Sequence, residues 1–517
     1  MRKFLYVAVF FSGMVSLAAE MAASRLIGNY FGTSNLVWAS IIGLILIYLT
    51  LGYFIGGRWA DRSPKLETFL SILCWAALAL AVVPILSRPI LRIASQAFDQ
   101  LYLGNLIGSF VVVMILFIVP ITLLGTASPF AIRLALHDTR QAGTVAGRIY
   151  AISTLGSFLG TFIPDLILIP LIGTFRTFLV ISSLLLIIAL SSLAIFVDLK
   201  KALRLVWMPL IIILLFVFGA RGNDKIANGL IYEGESSYNY IQVLEQNGYT
   251  LLRLNEGQGV HSIYHPTQLN YYGPWEQVLV APLFNSPPVE LNQIQSMAIV
   301  GLAAGTTARQ AINVYPSIKI DGFEIDPKIV EIGKQYFGMN LPSLTVFVQD
   351  GRWGLKTSKN HYDIISIDAY RPPYIPWHLT TREFFQEVSD HLNPDGVMVI
   401  NVGRGPSDRR LVDALGTTIL SVFPSIYVMD LPGSFNSILF ATKQATTPAN
   451  LANNIQQLQH KPATPTLLLE TSLTTLENLQ AGPHPSQVFT DDRAPIEWLT
   501  NSLILDFFLH GDMETLQ

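Results

Sequence analysis

The chain has 517 residues, 51% of them hydrophobic and only 13% charged, with a mean hydropathy of +0.44. Length of this order suggests a few domains, and an apolar excess of this size exceeds what water-soluble cores use, so a wholly soluble protein is excluded. The net charge of −3 conceals an asymmetry: residues 1–220 carry 15 basic and 7 acidic side chains, a balance of +8, whereas residues 221–517 carry 18 and 29, a balance of −11. The acidic half argues against nucleic acid as a partner. A single cysteine, Cys74, permits neither a disulfide framework nor a thiolate metal site. No His/Glu/Asp spacing makes a convincing metal site either, so no metal is expected.

Seven apolar segments come first, at about 4–28, 35–57, 66–86, 105–125, 146–170, 174–197 and 205–220. Most reach the roughly 20 residues that cross a bilayer core, which predicts a multi-span α-helical membrane domain over 1–220, seated in the lipid bilayer of the cell membrane. The last segment is short and contains Pro209. The first begins Met-Arg-Lys like a secretory signal, but Glu20 and Arg25 stand where a cleavage site would lie, so it reads as a retained span. With a cytoplasmic N-terminus, eleven basic residues fall inside, at 2–3, 58–65, 133–148 and 200–204, against Arg25, Arg88, Arg92 and Arg176 outside. Glu20 and Asp165, costly in lipid, mark a pathway or a buried pair; pairing of Glu20 with Arg25 is the plainer reading. Gly52-Tyr-Phe-Ile-Gly56-Gly57 offers small residues for close helix approach, before the basic turn Arg58-Trp-Ala-Asp61-Arg62.

Beyond residue 220 the pattern changes. Residues 240–244, 250–254 and 260–264 read as short strands, with Asn247-Gly248 as a hairpin turn, since this dipeptide accepts the positive φ angles a tight turn needs. A small antiparallel β subdomain is expected over 221–290. From 291 to 517, β-rich runs at 297–300, 319–323, 345–348, 363–367 and 397–402 alternate with helical stretches, which predicts a doubly wound α/β sheet with a C-terminal extension. The Ala/Thr/Pro-rich interval 442–466 reads as an exposed connection with some helix.

Open α/β sheets bind ligands at the carboxyl ends of their strands. Gly301-Leu-Ala303-Ala304-Gly305 follows the first such strand, and its small residues let the backbone approach a ligand at a helix N-terminus. Glu324, 19 residues beyond Gly305, stands where a carboxylate accepts hydrogen bonds from both hydroxyls of a ribose. Asp350-Gly351 ends the third strand and Asp368 the fourth. Each acid has a plainer reading as the cap of the next helix, yet four successive strand ends with suitable groups favour a nucleotide site. The glycine spacing lacks Gly-x-Gly-x-x-Gly and so suits an adenosyl sulfonium, which has no pyrophosphate to cradle.

Residues 230–445 resemble the spermidine synthase family of aminopropyltransferases. The resemblance is carried by Ser236-Ser-Tyr238-Asn239-Tyr-Ile241-Gln-Val243, Tyr271-Tyr272-Gly-Pro-Trp-Glu276, the Gly301 to Gly305 turn, Glu324-Ile-Asp326, Asp350-Gly351 and Tyr362-Asp-Ile-Ile-Ser-Ile-Asp368-Ala. With Trp38, Gly147-Arg148-Ile-Tyr150 and Pro376-Trp-His378-Leu-Thr380-Thr381-x-Glu383-Phe384, the whole chain is similar to membrane-fused spermidine synthase-like proteins. The 52–62 stretch also resembles a loop of major-facilitator transporters, of which six spans would be one half. The resemblance implies a class I methyltransferase-like Rossmann domain and decarboxylated S-adenosylmethionine as donor, with an amine attacking the carbon beside its sulfonium. Glu324 would hold the ribose, Asp326 and Asp350 the adenosine end, and Gly301, Ala303, Gly305 and Gly351 the surrounding backbone. Asp368 would deprotonate or orient the amine, Tyr238, Tyr272 and Glu276 would line the acceptor channel, and a homodimer is an assembly open to such a protein.

Three departures stand out. Ala304 replaces the family's aspartate near the donor's amine, Asn239 replaces a glutamine, and Arg371 stands where a second carboxylate would face a diamine substrate. Methyl transfer from intact S-adenosylmethionine, for which Ala304 would leave room, is one alternative. A transporter or sensor that binds a nucleotide or polyamine without turnover is the other. His378 reads as an acid–base group or as structural, and the turn Asp491-Asp492-Arg493 as a ligand or as a helix cap. A cytosolic donor would place the soluble half in the cytoplasm, whereas a true span at 205–220 would carry it outside.

Overall fold

The computed structural model describes residues 2–31, 35–99, 104–136, 138–219, 225, 227–255, 259–370 and 374–502. Arg371 lies outside the described residues. The chain forms two compact units, Met1–Ala227 with Glu233–Tyr240, and Asn228–Tyr232 with Ile241–Gln517.

The first unit is helical: α1 (Arg2–Phe31), α2 (Asn35–Arg62), α3 (Leu66–Asp99), α4 (Gly104–Gly125), α5 (Ala127–Ala135), α6 (Ala142–Ile163), α7 (Ile169–Phe196), α8 (Leu199–Leu203) and α9 (Trp207–Leu214). Among the described residues six stretches are long and apolar enough to cross a membrane: Phe4–Phe31, Val37–Arg62, Leu66–Leu91, Phe110–Ala135, Ala142–Phe196 and Leu199–Gly219. The fifth has 55 residues. At 1.5 Å per residue it runs to about 80 Å, against a hydrocarbon core of about 30 Å. It breaks at Gly173, where φ is 79° and ψ 165°, so it holds both apolar segments 146–170 and 174–197. Pro209 is the third residue of α9, within the first turn, where its missing N–H would have had no helical partner. Glycines set the closest helix approaches. A Cβ on Gly156 would lie 1.9 Å from the carbonyl oxygen of Phe10, and one on Gly52 2.4 Å from that of Thr122, so α1 meets α6 and α2 meets α4 backbone to backbone.

After the helices, β1 (Leu230–Glu235), β2 (Tyr240–Gln246), β3 (Tyr249–Leu254) and β4 (Val260–Tyr264) form a small sheet in that order. Asn247 and Gly248, at φ 52° and 83°, make the turn between β2 and β3. The main sheet contains β5 (Ser296–Val300), β6 (Lys319–Glu324), β7 (Leu344–Val348), β8 (Tyr362–Ile367), β9 (Leu392–Gly403), β10 (Ser425–Asp430), β11 (Asn436–Thr442) and β12 (Leu479–Gln480), in the order β12-β10-β11-β9-β8-β5-β6-β7. The run β9-β8-β5-β6-β7 is parallel, and β10 to β12 extend it antiparallel.

Alternation drives this sheet, because successive side chains of a strand bury on opposite faces. Met297, Ile299, Ile364, Val397 and Val399 join one apolar cluster, and Ala298, Val300, Ile365, Ile367, Met398 and Ile400 the other. Helices cover both clusters: α11 (Thr306–Val314), α12 (Pro327–Tyr336), α13 (Gly351–Thr357), α14 (Arg382–Asp390) and α15 (Arg410–Leu420), preceded in the chain by the short α10 (Pro274–Gln277). The interval expected to be an exposed connection with some helix carries α16 (Pro448–Gln459), followed by α17 (Thr466–Glu477); α16 is not merely exposed, since it turns Leu451, Ile455 and Leu458 into the first cluster, an apolar stripe at helical spacing that the Ala/Thr/Pro content masks. The strand order reverses between β5 and β8, where an open sheet leaves a crevice.

Candidate active site

That crevice begins at Gly301. Its N–H, like that of Leu302, donates to the carbonyl of Phe323 at 3.0 Å, which turns the chain sharply off β5. Gly301 sits at φ +90°, and a Cβ there would lie 2.6 Å from the carbonyl oxygen of Asp368. Ala303 is also left-handed at φ 47°, and Gly305 at φ +85° caps α11. Gly301→Ala is therefore expected to cost at least about 1–3 kcal/mol from backbone strain alone and to push β8's end away; a thermal midpoint equal to that of the wild type would contradict the tight turn.

Glu324 ends β6 and is buried. Its two oxygens accept from the N–H groups of Ala303 at 2.9 Å and Asp326 at 3.0 Å. Burial pushes its carboxyl up to about 7, against the opposing pull of those two N–H groups. Asp326, also buried, caps α12 by accepting from the N–H of Lys328 at 2.9 Å. Asp350 caps α13 through the N–H of Trp353 at 2.9 Å, and its other oxygen lies 3.0 Å from Nε2 of His378. That histidine contact is the main cause holding the Asp350 carboxyl below its usual range. The capping reading of Asp326 and Asp350 is thus observed, and neither oxygen pair is idle. Gly351 packs on β5, since a Cβ there would meet Val300 at 2.5 Å.

Beneath His378, Arg352 makes paired hydrogen bonds to Glu387, both at 3.0 Å, and to Asp491, both at 2.8 Å, and donates to the carbonyl of His378 at 3.0 Å. Thr381 also donates to Asp491 at 2.6 Å. The acidic C-terminal turn is therefore a strut that ties the 377–381 segment to α13. Arg352→Ala leaves Asp491 without its paired guanidinium and Glu387 with the exposed Lys356, at 3.4 Å, as its remaining cation. With the arginine side chain 15% exposed and Asp491 41% exposed, the expected loss is roughly 2–3 kcal/mol, below that of a fully buried pair. It should show as a lowered thermal midpoint of the detergent-purified protein, and an unchanged midpoint would contradict the strut.

Asp368 follows β8. One oxygen accepts from the side-chain amide of Asn401 at 3.1 Å, and burial pushes its carboxyl up to about 6. Tyr370 fixes the partner, donating to the carbonyl of Asn401 at 3.0 Å and accepting from the N–H of Gly403 at 2.8 Å. Pro274, Val278, Ser366 and Ile438 line the same tight cleft. Asn401 escaped the reading of the sequence, although an amide inside the apolar run Val-Met-Val-Ile-Asn-Val was a visible signal. The oxygen of its amide is buried with no hydrogen-bond partner among the described residues.

Other expected residues lie elsewhere. Glu276 is 1% exposed and is the third residue of α10, its side chain turned back on the N-cap Gly273. It accepts from the N–H groups of Tyr271 at 3.2 Å and Gly273 at 2.7 Å and from Gln310 at 3.0 Å, so its carboxylate is committed to packing rather than to an open channel. Burial raises its pKa. Tyr272 is 78% exposed at φ 56°, beside a separate cleft of about 570 Å³ that Tyr249 and Tyr271 also line. Tyr238, 43% exposed, belongs to the other compact unit. Ala304 is 1% exposed and belongs to an apolar cluster with Ile241, Val243 and Leu252, so its methyl opens no space for a donor's tail. Among the described residues no cluster of three or more His, Cys, Asp or Glu side chains could hold a metal ion.

Residues 281–451 match the family model described as the spermine/spermidine synthase domain. The chain is 33% identical over 283 residues to a probable polyamine aminopropyl transferase of Bifidobacterium longum, covering 52% of this chain and 62% of that one. It is 30% identical over 260 residues to the polyamine aminopropyltransferase of Vibrio vulnificus, covering 48% of this chain and 82% of that one. An eEF1A lysine and N-terminal methyltransferase of Bos taurus is 28% identical over 198 residues, which cover 35% of this chain and 28% of that one. A doubly wound sheet, acidic strand ends around a glycine turn, and four-fifths coverage of the Vibrio relative agree: the chain belongs to the spermine/spermidine synthase family, here preceded by a set of apolar helices.

Proposed function

We propose that the α/β unit transfers an aminopropyl group from decarboxylated S-adenosylmethionine to an amine, tethered to a bilayer by the helical unit. The observation that carries this reading is the pair of carboxylates Glu324, buried, and Asp368, half-buried, which end the two strands flanking β5, with the Gly301 turn between them. Each oxygen of Glu324 takes one backbone N–H and retains a lone pair for a ribose hydroxyl. A protonated amine is no nucleophile, so a carboxylate must take its proton. Asp368, with one oxygen held by Asn401, is oriented for that transfer, and the unpartnered amide oxygen of Asn401 is a second acceptor for the amine's N–H. The amine nitrogen then forms a bond to the methylene carbon beside sulfur, the carbon–sulfur bond breaks with its electrons going to sulfur, and methylthioadenosine leaves. Asp326, Asp350 and Gly351 border the donor end in this reading, and Tyr272 stands apart from the reacting centre.

Methyl transfer from intact S-adenosylmethionine is the second reading, favoured by the methyltransferase relatives. Titration calorimetry with the two nucleoside products separates them. Tighter binding of methylthioadenosine supports aminopropyl transfer, tighter binding of S-adenosylhomocysteine supports methyl transfer, and binding of neither removes both.

A further inference from the structure

The two ends of the helical unit differ in their contacts. At one end Asp61 pairs with Arg133 at 3.2 Å, and Glu67, at the start of α3, pairs with Lys201 of α8. The loops at this end, 58–65, 133–148 and 200–204, hold nine basic residues. At the other end Arg88, far along α3, lies 4.6 Å from the ring of Phe175 and donates to the carbonyl of Gly219 at 2.8 Å. There, too, Glu235 accepts from Asn29 near the end of α1 at 2.7 Å, and from the N–H and hydroxyl of Thr174, just past the Gly173 break, at 2.8 and 2.7 Å. Lys225 stands 5.0 Å from the ring of Tyr30 at this same end.

The stretch Leu199–Gly219 therefore progresses along α3 without turning back. Lys201 meets Glu67, Trp207 meets Trp75 with ring centroids 5.7 Å apart, and Gly219 meets Arg88. From Glu67 to Arg88 the helix advances about 31 Å at 1.5 Å per residue, the thickness of a hydrocarbon core of about 30 Å. A re-entrant segment would return to the Glu67 end. The chain instead continues to Lys225 and Glu235 beside Tyr30 and Thr174.

We infer that Leu199–Gly219 is a full crossing, that the helical unit traverses the membrane an odd number of times, and that the α/β unit is reached on the face opposite the basic loops. Basic loops stay cytoplasmic, so that face is extracytoplasmic. This reverses the side that a cytosolic donor would suggest. The side assignment stands on contacts within the helical unit; its consequence for substrate rests on the transferase reading. The site then draws its amine and its sulfonium donor from the extracytoplasmic compartment, and a step that exports an adenosyl sulfonium must supply it.

The single cysteine makes the test clean. In a Cys74→Ala background, Gln141→Cys places a thiol in a basic loop and Ala463→Cys one between α16 and α17, both at exposed positions. A membrane-impermeant maleimide applied to intact cells, or to spheroplasts where an outer envelope bars it, should label Ala463→Cys fully and Gln141→Cys at least tenfold less, with both labelled after permeabilisation. Protection of Ala463→Cys in intact cells, or equal labelling of the two, overturns the inference. A reporter protein fused after Lys225 gives an independent reading, active only in its extracytoplasmic form if the inference holds and only in its cytoplasmic form if it does not. Turnover is assayed separately in detergent, where both faces are open; failure there sinks the transferase reading and leaves the labelling result standing.

Discussion

Asp368→Asn is expected to lower the rate of aminopropyl transfer by roughly 10²–10⁴-fold, the range a well-placed general base contributes, while nucleoside binding persists. The isosteric amide still meets Asn401 but takes no proton. The dependence on pH provides a second signature. The carboxyl of Asp368 is pushed up to about 6 by burial, so the basic form is lost as the pH falls through about 6, and kcat/KM should fall with it. In the Asn variant that limb disappears. Stability moves the other way. A carboxyl whose folded pKa is raised above its unfolded value of about 3.9 stabilises the fold fully only below that value, and this contribution is lost as pH rises through about 6. At about 1.4 kcal/mol per unit, the Asn variant should gain up to about 2–3 kcal/mol over the wild type at pH 7–8, and nothing at pH 4. Near-normal turnover of the variant, or a pH limb that survives the substitution, would remove Asp368 from the chemistry.

Glu324→Ala should weaken the binding of methylthioadenosine by roughly 1.5–3 kcal/mol for each charge-assisted hydrogen bond to ribose that water does not replace, or about ten- to a hundredfold per hydroxyl. The N–H groups of Ala303 and Asp326 lose their acceptor as well, so the thermal midpoint must be recorded beside the affinity. Glu324→Gln retains one acceptor and should fall between wild type and Ala. Because burial pushes Glu324 up to about 7, wild-type affinity should strengthen as the pH rises through about 7, when the carboxylate can accept from both hydroxyls. Calorimetric affinity that is the same in all three proteins would show that the nucleoside does not meet Glu324.

Much of the fold can be read in the chain because its signals are local. Buried parallel strands leave continuous β-rich runs, so β5 to β9 were expected within a few residues of their ends, and long apolar segments announce the helical unit. The break at Gly173 lies in the Pro-Leu-Ile-Gly-Thr gap between two such segments. The antiparallel strands β10 and β11 went unread, although Pro432-Gly433 between them is a turn signal and Gly433 has φ +68°. At the site, residue type alone does not divide roles. Asp326, Asp350 and Asp368 all follow strands, yet two cap helices, and only the third is left oriented by a side-chain amide. Glu276 looked equally available in sequence but folds back on its own N-terminal turn. The contacts that decide these roles are distant in the chain: Asn401 reaches Asp368 across 33 residues, His378 reaches Asp350 across 28, and Arg352 reaches Asp491 across 139. No periodicity or motif encodes such pairings; packing of the sheet creates them.

The most direct measurement is product identification. The detergent-purified full chain is incubated with a panel of amines and either decarboxylated or intact S-adenosylmethionine, and the nucleoside released is resolved by chromatography and mass. Release of methylthioadenosine, dependent on the decarboxylated donor and on an amine and lost in Asp368→Asn, is the result predicted here. Release of S-adenosylhomocysteine from the intact donor, or no amine-dependent nucleoside from either, would contradict aminopropyl transfer at this site.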